Sequence, residues 1–342
     1  MTDTRGRLAR ILPPVVVLAV ACAIPPLLGD LTFFVQTALA ALVVVGLSLF
    51  MGYAGQTSLG QGAFVAAGGL TVAVLTTQFG VPSIVALLLA PVVAGVLAAV
   101  VGWPLLRLRG HYLAFGTLAV LLILQTVMAT VPLFGGGIGI FGIPALAIGP
   151  IQVQGQLAYA YLAIAAVTVA MIVAHNLVRS RFGRGMRALA GSESAASASG
   201  VAVARTKVAV FVVAGSFAGF AGAVGAFFTP YVSQDTYPPL LSFGYVIMAV
   251  VGGLGSLWGG VVGAVAVSVW LQLLSAVSAT PGLPPVVGPV LQYAGYGLIL
   301  VVFLLLVPRG IVPTIAARAR TRAAARGGSA PIPVSVGSAG RG

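Results

Sequence analysis

Apolar runs recur along almost the whole chain, each about twenty residues long, the length an α-helix needs to cross the hydrocarbon core of a bilayer. Between the termini, the longest interruption is a polar island at 179–207, Arg179 followed by SRFGRGMRALAGSESAASASGVAVARTK. It holds six of the seventeen basic residues (Arg179, Arg181, Arg184, Arg187, Arg205, Lys207) and Glu193, one of only four acidic ones. A segment of this kind has to leave the membrane for water. The chain is 60% hydrophobic and 6% charged, whereas an ordinary soluble domain is about a quarter charged. Its 342 residues leave room for roughly ten spans. The alternation over about ten residues that a membrane barrel requires is absent. The expected fold class is an all-α integral membrane protein of about ten transmembrane helices.

The net charge of +13 invites a nucleic-acid reading, but its distribution opposes one. Basic residues gather at the N-terminus, near residue 108, in the island and after residue 308, always beside the ends of apolar runs. This is the pattern by which positive charge marks the cytoplasmic face of a membrane protein. The single cysteine, Cys22, excludes an intramolecular disulfide and a thiolate metal cluster within the chain.

Taken in order, the first span covers about 11–28, with Arg5, Arg7 and Arg10 holding its start inside. It has the shape of a signal peptide, but the many spans behind it favour an uncleaved helix. The second span, 31–51, returns inward to GYAGQTSLGQGAF (52–64), and the third covers 66–77. The fourth ends near Trp103 and Pro104, with Arg107 and Arg109 inside, and the fifth runs over 112–131. An uncharged outer connection rich in glycine and proline (132–155) leads to the sixth span, 157–177, and so to the island. The seventh covers 208–228, the eighth a short 241–251 before GGLGSLWGG, the ninth ends near Val277 and the tenth at VPRG. Ten spans place both termini and every basic cluster in the cytoplasm, the island included. The division is a cytoplasmic N-terminus at 1–10, a transmembrane domain at 11–313 containing the island, and a basic tail at 314–342. The start of that tail suits a helix lying on anionic lipid, and its end has a disordered composition.

Little in the sequence supports catalysis. The four acidic residues fall at termini or loops, His111 and His175 sit at span ends as interfacial anchors, and no nucleophile–base pair or metal-ligand spacing occurs. No acidic or basic residue lies in the middle of a predicted span, which removes the usual device of proton coupling. A sodium site of backbone carbonyls at a broken helix stays open. Energy is therefore expected to enter from outside the membrane domain, through the island.

Two further signals are polar. In 52–64 the glycines Gly52, Gly55, Gly60 and Gly62 interleave with Gln56, Thr57, Ser58 and Gln61. This pattern fits either close helix packing with a turn at the inner surface or the lining of a water-filled path. Gln125 and Ser216, alone in apolar spans, are expected to make interhelical hydrogen bonds. Within the island, GMRALAGSESAASASGV reads as a helix broken near Gly191 and a second helical turn ending at Gly200. Ser192 is placed to cap the second, and Glu193 near its N-terminus suits the helix dipole.

Six stretches, in order and in register up to about Pro313, carry a resemblance: GYAGQTSLGQGAF, LRLRGHYLAFGTLAV, GGGIGIFGIP, SRFGRGMRALAGSESAASASGV followed by Lys207, VVGGLGSLWGGVVGA and VPRG. The chain resembles the membrane permease subunits of branched-chain amino acid ABC importers, and LRLRG with GGGIGIFGIP favours the LivM type over its sister, the LivH type. The resemblance implies that the island is a coupling loop docking on a cytoplasmic ATPase. By position, Glu193, Ala195, Ala196 and Gly200 match that loop's glutamate, paired alanines and glycine, within a functional segment from Gly191 and Ser192 onward. Ala190 and Gly191 stand where the family commonly has arginine and glutamate, and Phe134 where a threonine often precedes the glycine pair.

No Gly-rich phosphate loop ending in Lys-Ser or Lys-Thr is present, so this subunit would be a transport component and no enzyme. ATP and magnesium would reside on separate ATPase subunits, two of them, with no cofactor in this chain. The other implied partners are a LivH-type sister permease, an extracytoplasmic binding protein and the cell-membrane bilayer. The implied substrate is leucine, isoleucine or valine, and the family also includes importers of urea and short amides. An ion-coupled carrier or a non-transporting scaffold are the readings from other classes.

Overall fold

The computed structural model describes residues 31–148 and 151–278, together with residue 25 and scattered positions between 290 and 314. The first predicted span, Cys22, most of the tenth span and the tail beyond residue 314 lie outside the described residues. In the continuous part the chain is helical wherever the apolar runs predict it. Helix α1 (Thr32–Leu47) continues through a π-helical turn, Ser48–Tyr53, and is followed by α2 (Gln61–Thr77), α3 (Ser83–Leu105) and α4 (His111–Thr130). Helix α5 (Gln156–Arg179) leads into two short helices, α6 (Arg181–Gly191) and α7 (Glu193–Ala198). After them come α8 (Val203–Phe228), α9 (Pro239–Gly252) and α10 (Leu257–Ser278). Six of these elements are long and apolar enough to cross a membrane: α1 with its π turn, α3, α4, α5, α8 and α10. The protein is an all-α, multi-pass membrane protein.

Helix α8 is the centre of the bundle, packed against α3, α2 and α1. Lipid tails are as apolar as leucine, so helices inside a bilayer associate through close contact and not through removal from water. The sequence supplies that contact with small residues. A Cβ on Gly68 would overlap the Gly219 carbonyl, and one on Gly222 the Val65 carbonyl, so α2 and α8 cross backbone to backbone. Ala94 and Ala98 of α3 meet Gly219 and Gly215 from the other side. The side chains left outside are large and apolar, among them Leu88, Val92, Val96, Phe115, Ile123, Val169, Ile172 and Leu273. These residues of α3, α4, α5 and α10 make the outer surface of the described bundle apolar, while α2 is buried over nearly its whole length.

Two helices are short. At about 1.5 Å per residue, α9, with 14 residues, reaches only part of the way across a hydrocarbon core of about 30 Å. It packs along α10 through Gly252, Gly259 and Gly263, and Gly252 and Gly253 at its C-terminal end are buried in protein. The other, α2, has 17 residues and lies within the bundle.

The two ends of the bundle differ sharply. At one end, all eight described cations (Arg107, Arg109, Arg179, Arg181, Arg184, Arg187, Arg205, Lys207) gather around α6, α7 and the α3–α4 turn. The opposite end contains Asp235 and a cover built from the glycine-rich connection. There strand β1 (Ile140–Phe141) pairs antiparallel with β4 (Tyr231–Val232), and β2 (Ala147–Ile148) with β3 (Ile151–Gln152). Polar side chains tie this cover to the helices. Gln78 Nε2 donates to the Leu133 carbonyl at 2.6 Å, and Ser83 Oγ to the Ala145 carbonyl at 3.2 Å. Gln125 Nε2 donates to the Tyr237 carbonyl at 2.8 Å, in the loop before α9 and not on a neighbouring membrane helix as expected. No hydrogen bond involving Ser216 occurs among those described; its hydroxyl lies against Gly95.

Candidate functional site

The island folds into two short helices set against the basic end. Ser180 ends α5 and caps α6, its Oγ accepting from the Gly183 amide at 3.3 Å. Gly183 faces the Val178 carbonyl so closely that a Cβ would overlap it, and this lets α6 turn back beneath α5. Arg187 closes the same corner by donating to the Val178 carbonyl at 2.9 Å. The face of α6 carrying Met186 and Leu189 is buried, whereas Arg181, Arg184 and Arg187 point away from it.

The break falls at Ser192, which caps α7 by accepting from the Ala195 amide at 3.3 Å. Gly200 ends the element with φ +79°, donating to the Ser197 carbonyl while Val201 donates to that of Ala196, both at 3.0 Å. These two bonds form a Schellman-like stop, which needs a residue tolerant of left-handed backbone. Gly191, Ser192, Ala195 and Gly200 are exposed. Ala196 is not: it is 1% exposed and turned into the protein, so the outward surface of α7 comprises Ser194, Ala195, Ser197 and Ala198.

Glu193 is already engaged. Its Oε1 pairs with Lys207 Nζ, and its Oε2 lies 3.7 Å from Arg109 Nε. The Lys207 side chain is 4% exposed, that of Glu193 30% and that of Arg109 82%. The Lys207 bond is therefore the sheltered link, while solvent weakens the one to Arg109. Helix α8 begins five residues before the predicted seventh span, which brings Lys207 into its second turn and under α7. A cleft of about 620 Å³ opens beside the pair, lined by Arg109, Glu193, Ser194, Ser197 and Val203.

The second candidate set lies on the same end. Gln56 is buried, with its Nε2 on the Ala54 carbonyl at 3.2 Å. Exposed Thr57 donates to the Gly110 carbonyl at 3.0 Å, and buried Ser58 accepts from the Gly60 amide at 3.4 Å. Gln61 opens α2 and is fully buried, with neither amide atom bonded. The two sets meet. Gly55, at φ +66°, packs on Ala190 of α6, where a Cβ would come within 2.9 Å of Cα. Gly110, bonded to Thr57, follows Arg109, which faces Glu193. Sequence reasoning did not anticipate this convergence on the 106–110 turn or the Glu193–Lys207 pair, although Lys207 beside a capped glutamate was visible. Among the described residues, no group of acidic, histidine or cysteine side chains could hold a metal.

Comparison with known proteins agrees with this architecture. A family model described as branched-chain amino acid transport system / permease component matches residues 31–307. The high-affinity branched-chain amino acid transport system permease protein LivM of Salmonella typhimurium is 28% identical over 286 residues, covering 75% of this chain and 66% of that protein. Its Escherichia coli counterpart gives the same figures. The L-arabinose transport system permease protein AraH of Escherichia coli is 35% identical over 138 residues, 39% of this chain and 40% of that one. No solved structure matches. With six helices long and apolar enough to cross a membrane among its described residues, and a family match over residues 31–307, the chain belongs to the family of branched-chain amino acid transport system permease components.

Proposed function

We propose that this chain is one membrane half of an ATP-driven ABC importer, with α6 and α7 as the element through which a cytoplasmic ATPase moves the pore. The observation that carries the reading is α7 itself. It is a helix capped at both ends, presenting only small side chains outward and tied to the central helix α8 by Glu193–Lys207. A shallow surface of Ser194, Ala195, Ser197 and Ala198 suits close docking, and the ion pair gives a displacement of α7 a route to α8. In this reading ten spans cross the membrane between a cytoplasmic segment at 1–10 and a basic tail at 314–342. Both termini and the basic end are then cytoplasmic.

Two ATPase subunits carry ATP and magnesium, and a LivH-type sister permease completes the pore. An extracytoplasmic binding protein delivers leucine, isoleucine or valine to the end covered by β1 and β4. Gln56, Thr57, Ser58 and Gln61 lie along the path. The partial likeness to an L-arabinose permease is consistent with a shared translocation machinery serving different small solutes, with urea or a short amide as the runner-up substrate here.

The test is uptake. The complex isolated in mild detergent with its partner subunits and binding protein, then placed in liposomes, is expected to accumulate L-leucine only when ATP reaches the ATPase side. Accumulation on an imposed ion gradient, with no ATPase present, contradicts the reading.

A further inference from the structure

Among the four polar residues of the path segment, three are satisfied locally. Gln56 bonds the Ala54 carbonyl, Thr57 the Gly110 carbonyl and Ser58 the Gly60 amide. Gln61 differs. It is 0% exposed, and neither its Nε2 nor its Oε1 has a partner. Leaving a buried amide unpaired by any side chain or backbone group costs stability that an apolar side chain of similar size would not, and such a group in a native interior calls for an explanation.

Its position supplies one. Gln61 is the first residue of α2, a 17-residue helix whose N-terminus ends inside the bundle. The adjoining backbone amides are met by side chains of other helices: Leu59 N donates to Thr117 Oγ1 and Gly62 N to Ser242 Oγ, both at 2.9 Å. Two helices thus close over the turn, α4 through Thr117 and α9 through Ser242. A Cβ at Gly60 would overlap the Thr117 carbonyl, and one at Gly62 would lie 2.6 Å from Ser242 Oγ. Directly before the turn, α1 relaxes into its π-helical segment at Ser48–Tyr53, an irregularity that often marks functional positions.

Resting on the importer reading above, we infer that the N-terminal turn of α2 with Gln61 is the transient binding point for the polar head of the solute. The turn is occluded in the present conformation and becomes accessible when it parts from α4 and α9. A helix N-terminus favours a carboxylate through its dipole, and parting from α9 would free the Gly62 amide, now held by Ser242 Oγ, to donate to it. Gln61 adds a neutral donor and acceptor able to meet both groups of an amino-acid zwitterion, or the carbonyl and amine of urea. The other three residues hold the turn in shape.

The test compares wild type with Gln61→Leu and Gln61→Met in the assembled, reconstituted complex. Thermal unfolding, ATP hydrolysis and uptake of radiolabelled L-leucine are measured on each. Both variants are expected to unfold at a higher temperature than wild type, to retain ATP hydrolysis, and to lose leucine uptake by about tenfold or more, the worth of one hydrogen bond to a charged group. Uptake within twofold of wild type overturns the inference. So does unfolding of both variants, since that assigns the amide a structural partner. A wild-type complex that hydrolyses ATP without importing leucine counts against the substrate reading instead. The same three-way comparison with radiolabelled urea then decides the role of Gln61.

Discussion

Replacing Glu193 by glutamine keeps the size of the side chain and removes its charge, which isolates what the ion pair contributes. Two cations face the carboxylate, and burial separates them. Arg109 is 82% exposed at 3.7 Å, so its share is on the order of a surface pair, at most about 0.5 kcal/mol. Lys207 is 4% exposed, and the substitution would leave its ammonium buried with only an amide oxygen to meet. Orphaning one partner of a fully buried pair costs about 3–5 kcal/mol. Here the glutamate remains 30% exposed and water reaches the gap, so about 2 kcal/mol is the reasonable figure. A loss of that size shifts the equilibrium for detaching α7 from α8 by about thirtyfold. Hydrogen exchange at the α7 amides, followed by mass spectrometry in nanodiscs, reads that opening directly. Exchange is expected to rise by about thirtyfold in Glu193→Gln and by less than threefold in Arg109→Ala, and to recover most of the way in Glu193→Gln/Lys207→Met, where no buried charge is stranded. Unchanged exchange in the single variant, or a double variant as labile as the single one, would refute the assignment of Glu193–Lys207 as the tie between the two helices.

Two other substitutions probe the frame. Gly222→Leu drives a side chain into the Val65 carbonyl and should cost at least the upper end of the ~1–3 kcal/mol range for overpacking; size-exclusion chromatography should show loss of the monodisperse protein, whereas wild-type behaviour would contradict the α2–α8 crossing. Gly200→Val forces a β-branched residue to φ +79°, costing about 1–2 kcal/mol. It should fray the end of α7, with faster exchange at residues 200 and 201 and no change in the melting temperature of the whole protein.

The spans were legible because each buries its own backbone hydrogen bonds, so an apolar run of sufficient length fixes a helix without knowledge of its neighbours. The clustering of arginines likewise showed in advance which ends lie together, and the Ser192 cap and Gly200 stop were readable because both depend on residues a few positions away. Other features depend on distant residues. Ile140 and Phe141 carry nothing that names Val232 and Tyr231 as strand partners. The glycines of 52–64 could not reveal whether a backbone or a path faced them, and in the fold Gly52 meets Gly255 while Gly55 meets Ala190. Resemblance marked Ala195 and Ala196 equally, yet a six-residue helix turns the second inward. Apolar continuity also hid the helical start at Val203, because Arg205 and Lys207 resemble the end of a loop until Glu193 is seen to neutralise one of them.

The central claim, that the outward surface of α7 is where an ATPase moves this permease, meets its most direct test in Ala195→Trp. Ala195 is exposed, so the larger ring can extend into solvent and the variant should insert and melt like wild type. In the reconstituted complex, ATP-driven uptake of L-leucine should fall to background, with the ATPase subunits either lost on purification or hydrolysing ATP without transport. Uptake at the wild-type rate with the indole in place would contradict the account.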